Sequence, residues 1–177
     1  MRTSTEAKEV DVTYEEFAAT RLASFARYAV MLTGDAHSAQ DLVQETMVRA
    51  QLHWRKVSRA ESPEGYVKRM MVNLYIDWRR GPWWRRVLLR SDAGAEVRVP
   101  VDLAEGAADR DLVWQALARL PRQQRAALVL RFYEDLPDAE IAEALGCTVG
   151  TARGYISKAL ATLRTRMNPG LVSGGSR

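Results

Sequence analysis

Apolar residues recur along most of this chain at intervals of three and four, the period of a helix with one buried face. From about Thr13, the positions Phe17, Phe25, Tyr28, Ala29 and Leu32 line one side of a first helix that ends at Gly34. A second helix, starting at Ser38, turns Leu42, Val43, Thr46, Met47 and Ala50 inward and shows Asp41, Gln44, Glu45 and Arg49 on its other face. The period lapses from Trp54 to Ser62, which reads as a loop carrying Arg55, Lys56 and Arg59. Pro63 suits the first turn of a third helix, where a missing N–H leaves no bond unmade. Tyr66, Val67, Met70, Leu74 and Trp78 form the buried stripe of that helix, and Gly81 and Pro82 stop it. These three helices predict one small bundle.

The next stretch, WWRRVLLRSDAGAEVRVPVDLAEGAAD, keeps no period and collects Gly, Pro, Asp and Ala, so residues 81–109 read as a flexible linker. A second helical unit begins near Arg110. Val113, Leu117 and Leu120 lead to Pro121, and Ala126, Leu128, Val129 and Phe132 supply the apolar face of the following helix. Then comes LPDAEIAEALGCTVGTARGYISKALATLRTRM, two short helical patterns with a break at Gly146. Glycine reaches left-handed backbone angles without a side-chain clash and ends a helix cheaply. Thr148 is placed to cap the next helix by accepting from the amide of Gly150 or Thr151. Ala152, Ile156, Ala159, Leu160 and Leu163 make the buried stripe there, leaving Arg153, Gly154, Ser157, Lys158, Ala161 and Arg164 outward. The pattern is a helix-turn-helix, and the fold class is all-α: two small helical bundles, 13–80 and 110–167, joined by a linker and followed by a Gly- and Ser-rich tail, 168–177, read as disordered.

Charge sharpens this picture. The net charge of +4 is modest, but its distribution is uneven. Acids outnumber bases up to Ala50, whereas Lys68, Arg69, Arg79, Arg80, Arg85, Arg86 and Arg90 meet only Asp77 between residues 68 and 90. From Val149 to Arg177 there is no Asp or Glu at all. A merely solvated helix mixes both signs, whereas an all-positive face suits phosphates, so the second helix of the helix-turn-helix is a candidate for a DNA major groove. An acidic front and two basic segments imply partners of different charge. The single cysteine, Cys147, excludes a disulfide framework and a cysteine zinc site, and reads as a small apolar filler in the turn. No apolar run is long enough to cross a bilayer, and the front of the chain lacks the basic-then-apolar layout of a signal peptide. The expectation is a soluble cytoplasmic protein without membrane insertion. His37 and His53 fall in no nucleophile or metal spacing, which argues against catalysis, a metal or a small-molecule substrate.

Two blocks in this order carry a family resemblance. DLVQETMVRA (41–50) with PEGYVKRMMVNLYIDWRR (63–80) resembles region two of bacterial sigma-70 class factors. LARLPRQQRAALVLRFYEDLPDAEIAEALGCTVGTARGYISKAL (117–160) resembles region four. Two regions joined by a short linker resemble the extracytoplasmic-function (ECF) group, and the Trp83–Trp84–Arg85–Arg86 run resembles its SigE-type actinobacterial subset. The resemblance implies a non-enzymatic initiation factor that needs no cofactor. It would bind core RNA polymerase through the beta-prime clamp coiled coil and the beta flap, and would engage promoter DNA. Many relatives are also held by an anti-sigma factor.

By the same resemblance Asp41, Gln44, Glu45 and Arg49 meet polymerase. Asp41 and Glu45 lie one helical turn apart and so share a face, which is acidic and is otherwise simply solvated. Arg59, Lys68, Arg69, Asn73, Arg79 and Arg80 fall in the part that reads and opens the −10 element. Asn73 corresponds to a residue lining a pocket for a flipped base, and an amide offers that base both donors and an acceptor. Thr151, Arg153, Gly154, Tyr155, Ser157 and Lys158 fall where the −35 element is read; Arg153 and Lys158 suit guanine edges and phosphates alike. Trp83 and Trp84 fit packing, polymerase contact or base stacking equally. Pro137 and the Gly154–Tyr155 pair depart from the residues common at those positions. The rival readings are a dimeric helix-turn-helix regulator that binds a palindromic operator and a polymerase adaptor that reads no DNA.

Overall fold

The computed structural model describes residues 12–78 and 115–167. Arg79, Arg80, Trp83, Trp84, the linker and the tail lie outside the described residues. Helix α1, Tyr14–Thr33, opens on a reciprocal cap: Thr13 Oγ1 accepts from the Glu16 amide and Glu16 Oε2 accepts from the Thr13 amide. It closes at Gly34, whose φ of 82° is the left-handed conformation expected of a glycine there. Helix α2, Ala36–Leu52, starts two residues before Ser38 because Asp35 Oδ1 accepts from the Ser38 amide at 2.8 Å. The stretch read as a loop contains a short helix, α3, Trp54–Val57, which buries Val57. Helix α4, Pro63–Asp77, has Pro63 in its first turn and Ser62 as its cap. The second unit comprises a helical turn at 115–118, then α5 (Arg122–Phe132), α6 (Asp138–Leu145) and α7 (Val149–Met167). No strand occurs among the described residues.

Phe25, Tyr28, Leu32, Leu42, Val43, Val67, Met71 and Val72 fill the space between α1, α2 and α4. In the second unit Ile141, Ala142 and Ala152 pack where α5, α6 and α7 meet, and the small side chains let these helices approach closely. Leu120, Leu128 and Ala159 form a satellite cluster.

The two helical units expected from the sequence are both present, and their buried residues belong to one continuous cluster. Helix α4 packs against α5 and α6, and α1 packs against α5. Three placements differ from expectation. Phe132, at the last residue of α5, is 66% exposed, because the helix ends before its stripe can wrap inward. Leu160 is 37% exposed, since Ala152 and Ala159 are the residues of α7 that turn fully into the core. Glu45, expected on an outward face, is 2% exposed.

Candidate polymerase and nucleic-acid interfaces

The outward strip of α2 is narrow because α1 and α4 cover this helix from two sides. Asp41 keeps about a quarter of its side chain in solvent, 4.0 Å from His37 Nε2. Glu45 does not share that strip. Its side chain is 1% exposed, and Arg49 Nη2 donates to Oε1 at 2.8 Å. Burial holds the Glu45 carboxyl above the usual carboxylate range, an effect Arg49 only partly offsets. The expected pairing of Asp41 with Glu45 on one exposed face is therefore corrected: Glu45 faces the bundle. Val48 and Leu52, 42% and 66% exposed, take the outward positions. The sequence signal for them was present, as two apolar residues one turn apart lying outside the buried stripe of α2.

Where α2, α3 and α4 meet, an open depression of about 630 Å³ is lined by Leu52, His53, Arg55, Lys56, Arg59, Ala60 and Tyr66. Lys56 Nζ sits 5.9 Å from the centre of the Tyr66 ring. Arg59 was expected at a DNA site; Arg55, Lys56 and Tyr66 line the same depression, and the cations of WRKVSR were the sequence signal for the first two. Tyr66, Arg69 and Asn73 follow at three and four residues along α4, so they form one stripe. Asn73 lies about 10 Å from Tyr66 along the axis at a rise of ~1.5 Å per residue, and it is exposed.

Lys68 occupies a different flank of α4. Its ammonium donates to Glu134 Oε1 at 2.8 Å and pairs with Glu64 Oε1 at 3.1 Å. The rings of Tyr28 and Tyr133 each have their centres 5.6 Å away. Burial pulls this ammonium down, but the two glutamates outweigh it and hold Lys68 above the usual lysine value. Arg69 Nη1 meets Glu143 Oε1 at 3.1 Å across the surface between the units. Two of the −10 candidates, Lys68 and Arg69, are thus bonded to carboxylates of the second unit.

The helix-turn-helix is built as its residues require. Gly146 is left-handed at φ 62°, and the amides of Cys147 and Gly146 return to the carbonyls of Ala142 and Glu143, closing α6. Thr148 Oγ1 accepts from the Thr151 amide at 3.2 Å, starting α7. Pro137 precedes α6 without any side-chain cap. Thr151, Arg153, Ser157 and Lys158 are exposed, while Gly154 and Tyr155 are half-buried, with Tyr155 packed against the core. Arg153 Nε donates to Asp138 Oδ2 at 2.6 Å, and Arg131 pairs with the other oxygen of Asp138 at 3.4 Å. The Arg153 hydrogen bond, with the nearby Arg131 charge, holds the Asp138 carboxyl below its ordinary range. Among the described residues, no group of three or more His, Cys, Asp or Glu is placed to hold a metal ion. No described helix is long and apolar enough to cross a membrane.

Comparison with known proteins agrees with this layout. Residues 18–85 match the family model for sigma-70 region 2, and residues 110–163 match that for sigma-70 region 4. The RNA polymerase sigma-E factor of Streptomyces coelicolor is 33% identical over 155 residues, covering 87% of this chain and 85% of that one. The ECF RNA polymerase sigma factor SigL of Mycobacterium tuberculosis is 35% identical over 140 residues, covering 78% and 79% of the two chains. Among solved structures, the sigma factor RpoE of Bartonella quintana, crystallised with the anti-sigma factor NepR, shares the fold at a TM-score of 0.64 and 21% identity. That match covers 88% of this chain and 96% of RpoE.

Proposed function

This chain belongs to the extracytoplasmic-function group of the sigma-70 family, and we propose a division of its surfaces among polymerase, the −10 element and the −35 element. As a sigma factor it is a transcription initiation factor: it binds core RNA polymerase, recognises the two promoter elements and promotes strand opening. Members of the family act in the cell interior on RNA polymerase, and the cytoplasm is proposed as the place of action.

The outward strip of α2 meets the beta-prime coiled coil. Asp41 supplies a charge for a basic partner there, and Val48 and Leu52 supply apolar area that desolvation makes favourable. Gln44 and Arg49 border the strip. The depression lined by Arg55, Lys56, Arg59 and Tyr66 receives an unstacked base and its phosphates, because cations beside an aromatic face fit a single strand. Arg69 and Asn73 extend that track along α4, with Asn73 reading a base edge. Lys68 adds a phosphate contact when it is released from Glu134, and Arg79 and Arg80 continue the basic run. On α7, Thr151, Arg153, Ser157 and Lys158 face the −35 groove, while Gly154 lets the helix backbone approach and Tyr155 steadies the helix from its flank. The exposed Phe132 at the end of α5 is offered to the beta flap. Strand opening then proceeds through capture of bases, without covalent chemistry or a cofactor on this chain, so the protein is proposed to act without enzymatic activity. An anti-sigma factor is proposed as a third partner, as many relatives have one.

The observation that carries this reading is the coexistence of two cationic surfaces, one a basic depression and one an acid-free recognition helix, on two units of a single chain. The test is reconstituted transcription with core polymerase on genomic fragments. Initiation that depends on this chain is expected. Failure to initiate at any fragment, together with protection of a symmetric operator by the chain alone, would replace the reading with a stand-alone regulator.

A further inference from the structure

Helix α7 has no acid of its own, yet its Arg153 is paired with one borrowed from α6. Asp138 is the first residue of α6, and its carboxylate stands between arginines of the two flanking helices. Arg153 Nε of α7 donates to Oδ2 at 2.6 Å, and Arg131 Nη2 of α5 lies 3.4 Å from Oδ1. Arg131 is itself tied down, since its Nη1 donates at 3.0 Å to the carbonyl of Leu136 in the loop before α6. The carboxylate is therefore fixed from the α5 side and holds Arg153 on the α7 side. Asp138 keeps 19% of its side chain in solvent, against 69% for Arg153, so the acid is largely covered while the arginine it holds projects outward.

The atom by which Arg153 is held decides what it can still offer. A guanidinium is a planar fork of five N–H donors, one on Nε and two on each terminal nitrogen. With Nε engaged, the edge formed by Nη1 and Nη2 stays open, and neither nitrogen donates a hydrogen bond among the described residues. That edge matches the O6 and N7 acceptors that guanine shows in a major groove. A phosphate contact gains nothing from the arrangement, because a carboxylate beside the arginine repels the phosphate.

We propose that Asp138 is a positioning residue for −35 recognition: by holding Arg153 through Nε it aims the Nη1–Nη2 edge at a base, and so commits that position of the element to guanine. The proposal rests on the reading that α7 enters the −35 groove. It differs from an acid that only favours the first turn of α6 through the helix dipole, a role that supports the fold and carries no base preference. It differs from simple electrostatics as well. Removing a carboxylate near DNA eases repulsion and strengthens contact with every sequence alike. Losing an aimed arginine instead weakens the distinction between guanine and the other bases at a single position.

The experiment uses the full chain bound to core polymerase and a pool of promoter fragments randomised across the −35 region. Sequencing the transcripts gives the base preference at each position. Arg153→Ala identifies the position that Arg153 reads, as the one whose preference it removes. In the parent chain that preference is expected to be for guanine, by about tenfold. Asp138→Asn is expected to lower it to about twofold, to leave the other positions unchanged, and to have no further effect on it in the Arg153→Ala background. Circular dichroism shows whether Asp138→Asn folds; Asp138→Ala, whose side chain suits a first helical turn, takes its place if it does not. An unchanged guanine preference in a folded Asp138 variant, or a preference for another base at the position Arg153 reads, overturns the positioning role and leaves the −35 assignment standing. Parental preferences at every position in Arg153→Ala overturn the assignment of Arg153 to the −35 element, and the proposal with it.

Discussion

The two units treat the cations proposed to face DNA differently. In the second unit Arg153 is clamped by Asp138, a residue of the same helix-turn-helix, and the pair travels with the unit wherever it goes. In the first, Arg69 is clamped by Glu143 of the other unit, and Lys68 is shared between Glu64 of its own helix and Glu134 of the other unit. An internal clamp orients a recognition side chain in advance. A clamp between units makes the availability of that side chain depend on the relative position of two bodies. On the proposed assignment, the −35 cation is paired within its own unit, whereas the −10 cations are paired across the contact between units.

The largest expected effect separates two acids of α2 that the sequence grouped together. Glu45→Lys puts a cation beside Arg49 in a buried site and is expected to destabilise the fold by about 3–5 kcal/mol, read by urea denaturation. Asp41→Lys is expected to leave that stability unchanged and to weaken core polymerase binding about tenfold, a loss of ~1.4 kcal/mol. Equal behaviour of the two would return Glu45 to the docking face. The Glu45 carboxyl is raised, so the folded chain holds its proton better than the unfolded chain does. Stability therefore falls as pH rises from the ordinary carboxylate value through the raised one, and Glu45→Gln is expected to flatten that slope.

Next in size is Ile141→Ala, at a fully buried position of α6 within the shared core. A loss of about 2–4 kcal/mol is expected. Because the core is continuous, circular dichroism and tryptophan fluorescence should report a single shared transition; Trp54 and Trp78 both lie in the first unit's part of that core. Two separate transitions would mean that the units fold independently.

Gly34→Ala is smaller and local to the contact between units. A side chain at φ 82° costs about 1–2 kcal/mol, and contact with Ala118 adds to it. Denaturation should show the loss, and scattering should show a more open molecule. Asp138→Asn is the smallest. The Asp138 carboxyl is depressed, so what it contributes is present above the ordinary carboxylate value and lost as pH falls through the lowered one. The variant frees Arg153 and is expected to change −35 selectivity between promoter variants with almost no change in melting temperature.

Much of this was legible in the residues. The helix ends at Gly34 and Gly146, the first-turn Pro63 and the Thr148 cap are local chemistry and emerge in the structure as the sequence implied, whereas the caps at Thr13 and Ser62 were not read from it. Glu45 was misplaced because a residue four positions from Asp41 lies about 40° around the helix, and a strip flanked by α1 and α4 is too narrow to expose both. The short helix α3 was missed because a four-residue turn leaves no period to detect. Arg125 of α5, buried against the end of α1, was invisible for a different reason: its partners are the main-chain carbonyls of Leu32, Thr33, Ala118 and Leu120, which carry no residue identity and so leave no pattern in the sequence. The pairing of Lys68 and Arg69 with Glu134 and Glu143 spans more than sixty positions and depends on the same contact.

The most direct measurement is a footprint of one promoter with the free chain and with the chain bound to core polymerase, using permanganate to mark unpaired thymines. The bound chain is expected to protect the −35 and −10 elements together and to produce reactive thymines at −10, while the free chain gives little protection and no opening. Protection of a symmetric duplex site by the free chain, unchanged by polymerase and without reactive thymines, would contradict it.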